Sequence, residues 1–319
     1  MSKSINDMPF EIISMIIKHS NMASRMQLKL CNRQLSAIDD TVPYDLKDVV
    51  LIVRNARNQT HPEFRVVDPK TELKVDNVCW KVIGPTTIEL KIDDETKVIT
   101  LDDPRAVILS IFEKIVFNRG TRIEGIYIDA PFKPEYMRYS NMVKASGIDV
   151  LGVDWLQVFV PNCLCLRIFG YPAPTPLAIP WTPLVSNARS IIVDNTGCNI
   201  NDEQLLSSRW EWAAFGKTSI TEVGLNSLIK KWIDEGYDRG SYIMLSGNYQ
   251  WRRIVEGLRY KRRLLLQNGV PLEDQDELVH LEIEIKNEPY IVECDDMYGW
   301  QISIKDKPSD EDGILYMDE

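Results

Sequence analysis

The first forty residues carry apolar positions at the spacing of short amphipathic helices. Pro9 suits the first turn of a helix, where a missing N–H loses no partner, and Glu11 follows where the helix dipole favours an anion. Apolar residues then recur at helical spacing, at Ile12, Ile13, Ile16 and Ile17. Asn21 is a good cap for a second helix, which carries Leu28 and Leu30. Helices this short are unstable alone, so the rest of the chain or another protein must cover their apolar surface.

Residues 46–102 change to an alternation of apolar and polar positions. Turn signals separate the runs, among them Gly84-Pro85 and Asp93-Asp94. The predicted strands are 49–53, 64–67, 79–83, 87–92 and 97–101. This pattern is typical of antiparallel strands with one solvated face, so it predicts a β-rich region.

Helical and strand patterns alternate over residues 103–270. One helix is predicted over 104–118 and a second over 221–235. The second follows Ser219 and Glu222, which have the spacing of a capping box. Short apolar strands open the units, at 125–128, 149–153, 164–169, 190–193, 211–215 and 241–245. Their irregular spacing fits a leucine-rich-repeat-like solenoid or a mostly parallel α/β sheet, and the sequence leaves both open.

The C-terminal part returns to alternating runs, which predict a β-meander over 279–305, and the chain ends in an acidic tail, 306–319. The patterns together predict an α+β or α/β fold. It begins with a short helical module at 5–42, and an α/β domain follows at 46–305.

The helical module resembles an F-box. The resemblance is carried by Pro9, Glu11, the paired isoleucines, Leu28, Leu30-Cys31-Asn32-Arg33 and Leu35. Met8 stands where the family usually has Leu, and Arg33-Gln34-Leu35 stand where a Trp is common. The resemblance implies docking on a Skp-type adaptor, which links the module to a cullin–RING ubiquitin ligase. The adaptor-binding residues it implies are Pro9, Glu11, Ile12, Ile13, Ile16, Ile17, Leu28 and Leu30.

Most of residues 49–305 resemble the type 2 F-box-associated domain of the expanded nematode F-box proteins. The resemblance lies in the order of the parts, in which Ser219-Ile220-Thr221-Glu222 leads into a helix. Its best-marked parts are the helix motif Leu228-Ile229-Lys230-Lys231-Trp232 and the closing hairpin at 293–300. In that family this domain follows the F-box. The resemblance implies that the domain chooses a target protein for the ligase.

Charge and composition exclude some classes of partner. The chain has 319 residues and a net charge of −10, from 37 basic and 47 acidic residues. This balance disfavours nucleic acid and anionic membrane surfaces as partners, because both attract basic proteins. Nothing resembles a signal peptide, no apolar run reaches the roughly 18 residues of a membrane span, and the six cysteines form no C-x-x-C pair. We therefore expect an intracellular, reduced protein.

The sequence carries no catalytic motif, and it indicates neither a cofactor nor a metal site, so we expect a binding protein instead of an enzyme. A basic stretch near residue 260 has one candidate role. Arg259, Arg262 and Arg263 could receive an acidic or phosphorylated segment of the target, since guanidinium groups bind such anions well. The alternative is a solvated face that the chain's own acidic tail screens.

The leading hypothesis is therefore a substrate-receptor subunit of a ubiquitin ligase, and its protein substrate is unknown. The alternative is a repeat-like protein-interaction scaffold without a link to ubiquitination, whose N-terminal helices cap its own core. A chain that starts at Tyr44 should stay folded under the first hypothesis and lose cooperative unfolding under the second.

Overall fold

The computed structural model describes residues 5, 8–54, 70–170, 175–194, 197–235, 240–263, 266–267, 270–271, 280–284, 290–295, 300–306 and 316–318. The chain divides into two compact units, Met1–Cys163 and Leu164–Glu319. Among the described residues, no helix is both long enough and apolar enough to cross a membrane.

The first unit opens with short helices, α1 (Phe10–Lys18), α2 (Met22–Cys31) and α3 (Arg33–Asp39). Asparagines start two of them. Asn21 accepts the Ser24 N–H at 2.8 Å, and Asn32 accepts the Leu35 N–H at 2.8 Å, so each side chain satisfies a backbone donor in the first turn. We call residues 8–42 the helical module. Its own core consists of Ile13, Ile17, Leu35, Ile38 and Val42.

A sheet follows the helical module in the first unit. Its strands are β1 (Asp45–Arg54), β2 (Lys70–Val75), β3 (Val78–Gly84), β4 (Thr87–Ile92), β5 (Glu95–Thr100), β6 (Arg122–Asp129) and β7 (Lys144–Leu151). β6 pairs in parallel with β1 on one side and with β7 on the other. From β1 to β5 each strand pairs antiparallel with the next, which makes a meander that ends at β5.

Helix α4 (Pro104–Val116) covers this sheet and contacts β2 and β3. Asp103 caps it by accepting the Ala106 N–H at 3.0 Å, and Pro104 occupies the first turn. The helix buries Ile108, Phe112 and Ile115, which explains the helical period of this segment. Beside it, Phe112 packs edge-to-face on Trp155 with ring centroids 6.1 Å apart.

The second unit has a parallel core of strands. β8 (Cys165–Phe169), β9 (Ser190–Asp194), β10 (Trp212–Phe215) and β11 (Tyr242–Leu245) pair in that order. The remaining strands are β12 (Tyr260–Arg263), β13 (Leu266–Gln267), β14 (Val270–Pro271), β15 (His280–Glu284), β16 (Tyr290–Asp295), β17 (Trp300–Asp306) and β18 (Tyr316–Asp318). β11 continues antiparallel through β17, β16, β15 and β12 to β18, whereas β13 and β14 pair only with each other among the described strands.

Helices α5 (Pro183–Ser186), α6 (Asp202–Ser207) and α7 (Glu222–Glu235) connect the parallel strands, and α8 (Trp251–Ile254) follows β11. Asp202 joins α6 to α7, because its carboxylate accepts the Thr221 N–H at 2.7 Å and the Thr221 hydroxyl at 2.6 Å. Gly224 permits this approach, since a Cβ there would lie 2.1 Å from Asp202 Oδ1. Thr221, and not Ser219 as predicted, caps α7 by accepting the Gly224 N–H at 3.3 Å.

The prediction of a mixed α/β fold with N-terminal helices is confirmed. The parallel strands β8 to β11 lie where the sequence places short strands between helical segments. Strand β2 is absent from the predictions, and the strand predicted at 64–67 lies outside the described residues. The last described residues of the acidic tail form β18, a strand that the sequence did not predict.

Candidate functional site

Helix α1 divides its isoleucines between two faces. Ile13 and Ile17 are 1% and 0% exposed and pack in the core of the helical module. They are four residues apart, so they lie one above the other on the same side of the helix. The sequence identified both as contacts for a partner, yet in this structure a partner could not reach either side chain.

A neighbouring face of α1, turned by about 100°, is also apolar, and it is exposed. Ile12 is 44% exposed, Met15 is 58% exposed and Ile16 is 38% exposed. We call these three residues the outer face. Met8 and Phe10 add exposed apolar surface at the start of the helix. A cluster of this kind indicates an interaction site more strongly than apolar residues scattered singly do.

The concentration of exposed apolar side chains in this segment is high. Thirteen large apolar residues are exposed among the residues whose exposure the structure describes, and five of them fall between residues 8 and 16. The other eight are spread from Ile83 to Val223. The N-terminal helix is therefore the densest exposed apolar segment in the described part of the chain.

The remaining predicted adaptor-binding residues differ in their exposure to solvent. Pro9 and Glu11 are exposed at the start of α1. Leu28 is half-buried against the core of the helical module. Leu30 belongs to α2, and its side chain lies outside the described part of the structure.

A buried polar cluster joins α2 and α3 of the helical module to Tyr44, and no signal in the sequence predicted it. Arg25 is 2% exposed and Asp39 is 0% exposed. Arg25 Nε donates to Asp39 Oδ1 at 2.5 Å, and the guanidinium lies 3.5 Å from the ring centroid of Tyr44. The Tyr44 hydroxyl donates to Asp39 Oδ2 at 2.9 Å. We call Arg25, Asp39 and Tyr44 the clamp.

The clamp joins the helical module to the sheet of the first unit. Arg25 also donates to backbone carbonyls at the end of the module, to Val42 at 2.8 Å and to Pro43 at 3.0 Å. Tyr44 directly precedes β1, and its carbonyl accepts the N–H of Arg122, the first residue of β6, at 2.9 Å. A buried pair with this many hydrogen bonds fixes the orientation of the helices on the sheet.

Two pKa values are raised in and beside the clamp. Burial disfavours the charged form of Lys29, but hydrogen bonds to Asp39 and Asp40 outweigh this effect and raise the pKa of its ammonium group. Burial raises the pKa of the Tyr44 phenol, and the negative charge of Asp39 adds to the rise. At neutral pH Lys29 is therefore charged and Tyr44 keeps the proton that it donates to Asp39.

The predicted basic target site lies around β12. Arg259 is exposed just before this strand, whereas Arg262 and Arg263 lie within it and their side chains are outside the described part of the structure. β12 pairs with β15 on one side and with β18, from the acidic tail, on the other. Lys261 is the partner of Asp318 in this register. This is the placement expected if the chain's own tail screens the basic stretch.

A cleft of about 480 Å³ with both polar and apolar lining lies at the carboxyl ends of β10 and β11. Ligands of parallel α/β sheets often bind at such strand ends. Glu222 lines the cleft and accepts the Gln250 N–H at 3.1 Å, which lowers the pKa of its carboxyl group. Thr218 and Tyr249 also line it, with their hydroxyl oxygens 3.5 Å apart. This cleft has no counterpart in the predicted sites.

Within the described part of the chain, no group of three or more His, Cys, Asp or Glu side chains is placed to hold a metal ion. Comparisons of the chain with family models, with curated proteins and with solved structures found no match.

Proposed function

We propose that the chain is a substrate-receptor subunit of a cullin–RING ubiquitin ligase. The helical module, as an F-box-like element, binds a Skp-type adaptor, and the α/β domain binds a target protein. The observation that carries the proposal is the exposed outer face of α1. Ile12, Met15 and Ile16 remain exposed although the module has a complete core of its own.

The outer face offers a partner useful free energy. Removing half-exposed Ile and Met side chains from water contributes on the order of 1 kcal/mol each. Ile12, Met15 and Ile16 lie on one side of the same helix, so a groove on the adaptor can cover them together. Ile13 and Ile17 serve this interaction indirectly, because they hold α1 against α3.

The clamp suits the same function, because a receptor must hold its target at a fixed place. Arg25 and Asp39 connect α2 to the end of α3, and Tyr44 continues the connection into β1. A rigid link between the adaptor and the target domain raises the effective concentration of the target near the ubiquitin donor. A flexible link would lower it.

One observation favours the second candidate, a scaffold whose N-terminal helices cap its own fold. The clamp is buried, and Asn118 donates from its side chain to the carbonyl of Val42 at 3.3 Å, so the helical module is attached to the first unit. In this case the outer face binds no adaptor. Direct measurement of adaptor binding separates the two candidates.

The experiment uses the full chain and a purified Skp-type adaptor, with affinity measured by calorimetry. The variant Ile12→Asp with Ile16→Asp places charges on the outer face and should weaken binding by about 100-fold, since each charge must be desolvated in the interface. The matched control is Met137→Asp with Val223→Asp, because both residues are exposed apolar side chains elsewhere in the chain. The control should bind like the wild type.

Thermal unfolding followed by circular dichroism verifies that all variants are folded. Failure of the folded wild type to bind the adaptor would overturn the proposal. Equal affinity of the wild type and the Ile12→Asp, Ile16→Asp variant would overturn the role of the outer face.

A further inference from the structure

Strand β5 is the last strand of the meander in the first unit and has an open edge. Among the described strands it pairs with β4 alone. All six of its residues are exposed, whereas β2 and β4 alternate between buried and less buried positions. Val98 is 64% exposed. β5 therefore presents both faces and one edge to solvent.

The register fixes which backbone groups of β5 point away from β4. Leu101 N–H donates to the Thr86 carbonyl at 2.8 Å, so these two residues form a hydrogen-bonded pair. In an antiparallel ladder such pairs alternate with pairs that are not hydrogen-bonded. Ile99 with Ile88, and Lys97 with Leu90, therefore bond within the hairpin. The N–H and C=O groups of the alternate residues point outward, and these residues are Thr96, Val98 and Thr100.

The edge lacks three of the devices that commonly prevent strand addition. Natural edges are often blunted by proline, by bulges or by very short strands. β5 contains no proline, and its register with β4 continues without a bulge from Glu95 to Thr100. Four of its six residues are β-branched, a composition that favours an extended backbone. Lys97 is the only charge between Glu95 and Asp102.

Acidic residues flank β5 at both ends. Asp93, Asp94 and Glu95 lie before it or at its start, Asp102 and Asp103 follow it, and all five are exposed. A second copy of this chain is therefore a poor occupant, because antiparallel pairing of two β5 strands brings the acidic ends together. An added strand with basic ends suits either direction of pairing.

The length of the edge defines the size of the added segment. Asp94 and Asp102 are eight positions apart, which corresponds to roughly 27 Å of extended chain. A partner strand of about nine residues can place Lys or Arg near each end. Between them, β-branched residues suit the open pleat beside Val98.

We propose that β5 is a docking edge that accepts an extended segment of the target protein as an added strand. The segment carries β-branched residues between basic residues at its two ends. Main-chain hydrogen bonds to Thr96, Val98 and Thr100 hold it, and the acidic flanks select it. That this partner is a target of the ligase rests on the proposed function. The strand addition itself does not require the adaptor.

The experiment measures binding of the labelled peptide KRTVTVTRK to the full chain by fluorescence anisotropy, without adaptor. A peptide of equal charge, KRTPTPTRK, cannot form the ladder and is the control ligand. The wild type should bind the first peptide at least about 10-fold more tightly than the second, and more weakly at about 300 mM salt than at about 50 mM. No binding of KRTVTVTRK up to about 1 mM, or equal affinity for both peptides, would overturn the proposal.

Two variants of the chain test the edge and the flanks. Val98→Pro removes an outward N–H without breaking a bond to β4, and it should reduce affinity about 10-fold or more. Asp94→Lys with Asp102→Lys should also weaken binding by about 10-fold at low salt. The matched control, Glu203→Lys with Glu256→Lys, makes the same change of net charge at exposed residues elsewhere. Equal loss in the control variant would reduce the effect to net charge and overturn the role of the flanks.

Amide exchange gives a direct readout of the ladder. Bound peptide should protect the amides of Thr96, Val98 and Thr100, whereas Lys97 and Ile99 already bond to β4 and should change little. Protection spread evenly over β5, or absent from it, would overturn strand addition. A chain that binds the peptide in this way but does not bind the adaptor would retain the docking edge and overturn only the proposed function.

Discussion

Both faces of helix α1 carry a pair of isoleucines, but one pair is buried and the other is exposed. Ile13 and Ile17 are buried, whereas their neighbours Ile12 and Ile16 are 44% and 38% exposed. Each residue turns the helix by about 100°, so adjacent isoleucines point to different sides. Apolar character alone shows that burying a surface is favourable. It does not show whether the cover comes from the same chain or from a partner.

The largest expected effect is the difference in stability between a substitution on the buried face and one on the outer face. Ile13→Asp places a carboxylate in the core of the helical module and removes its packing, and it should lower the free energy of local unfolding by about 4 kcal/mol. Ile12→Asp changes an exposed side chain and should cost no more than about 0.5 kcal/mol. Hydrogen exchange of the amides in α1, α2 and α3 measures both values. Similar losses for the two neighbours would mean that the faces do not differ.

The sequence could not make this distinction. Ile12 with Ile16, and Ile13 with Ile17, have the same spacing, so either pair could form the inner face. The choice is made by Leu35, Ile38 and Val42, which come about twenty residues later in the chain and pack on one pair only. Local period predicts a helix and its apolar character, but tertiary contacts decide which side is buried.

Elsewhere in the fold, strong local signals gave accurate elements and weak ones did not. Pro104 marks the start of α4, and strand β4 has the predicted bounds. Strand β2 was missed because Lys70–Val75 contains only two large apolar residues, Leu73 and Val75, and both are buried by neighbours that the sequence does not reveal.

The clamp was missed for a related reason. Arg25 and Asp39 are fourteen positions apart, and each looks like an ordinary surface charge on a short helix. Only the folded chain shows that both are buried. The docking edge at β5 depends in the same way on which strands lie beside it, although its acidic flanks are visible in the sequence.

A second prediction tests whether the stability of the helical module depends on the charge pair of the clamp. Asp39→Ala leaves the Arg25 guanidinium buried without its charge partner and should destabilise the helical module by about 3 kcal/mol. The double variant Arg25→Met with Asp39→Leu removes both charges and should lose less, because it leaves no unpaired charge. Hydrogen exchange of the module amides measures both variants. Arg25→Met and Asp39→Leu, each measured singly in the same way, complete the cycle. If the double variant lost as much as the sum of these two, the two residues would act independently.

The smallest expected effect concerns alkaline pH, which should loosen the clamp and leave the contacts of the outer face unchanged. The pKa of Tyr44 is raised in the folded chain by burial and by Asp39. A group with a raised pKa contributes stability in full below its unfolded value, about 10 for Tyr, and loses it as the pH rises through the folded value. The pKa of Lys29 is also raised, so its contribution falls in the same direction.

Tyr44→Phe removes the hydrogen bond to Asp39, which should cost about 1 kcal/mol near neutral pH. It should also reduce the loss of stability as the pH rises above about 10, because the phenol no longer ionises and Lys29 alone remains. Thermal unfolding at several pH values, followed by circular dichroism, compares Tyr44→Phe with Tyr139→Phe, which removes a hydroxyl outside the clamp. If the wild type and Tyr44→Phe lost stability equally with rising pH, the hydroxyl of Tyr44 would not couple the helical module to the sheet in the way that the clamp geometry implies.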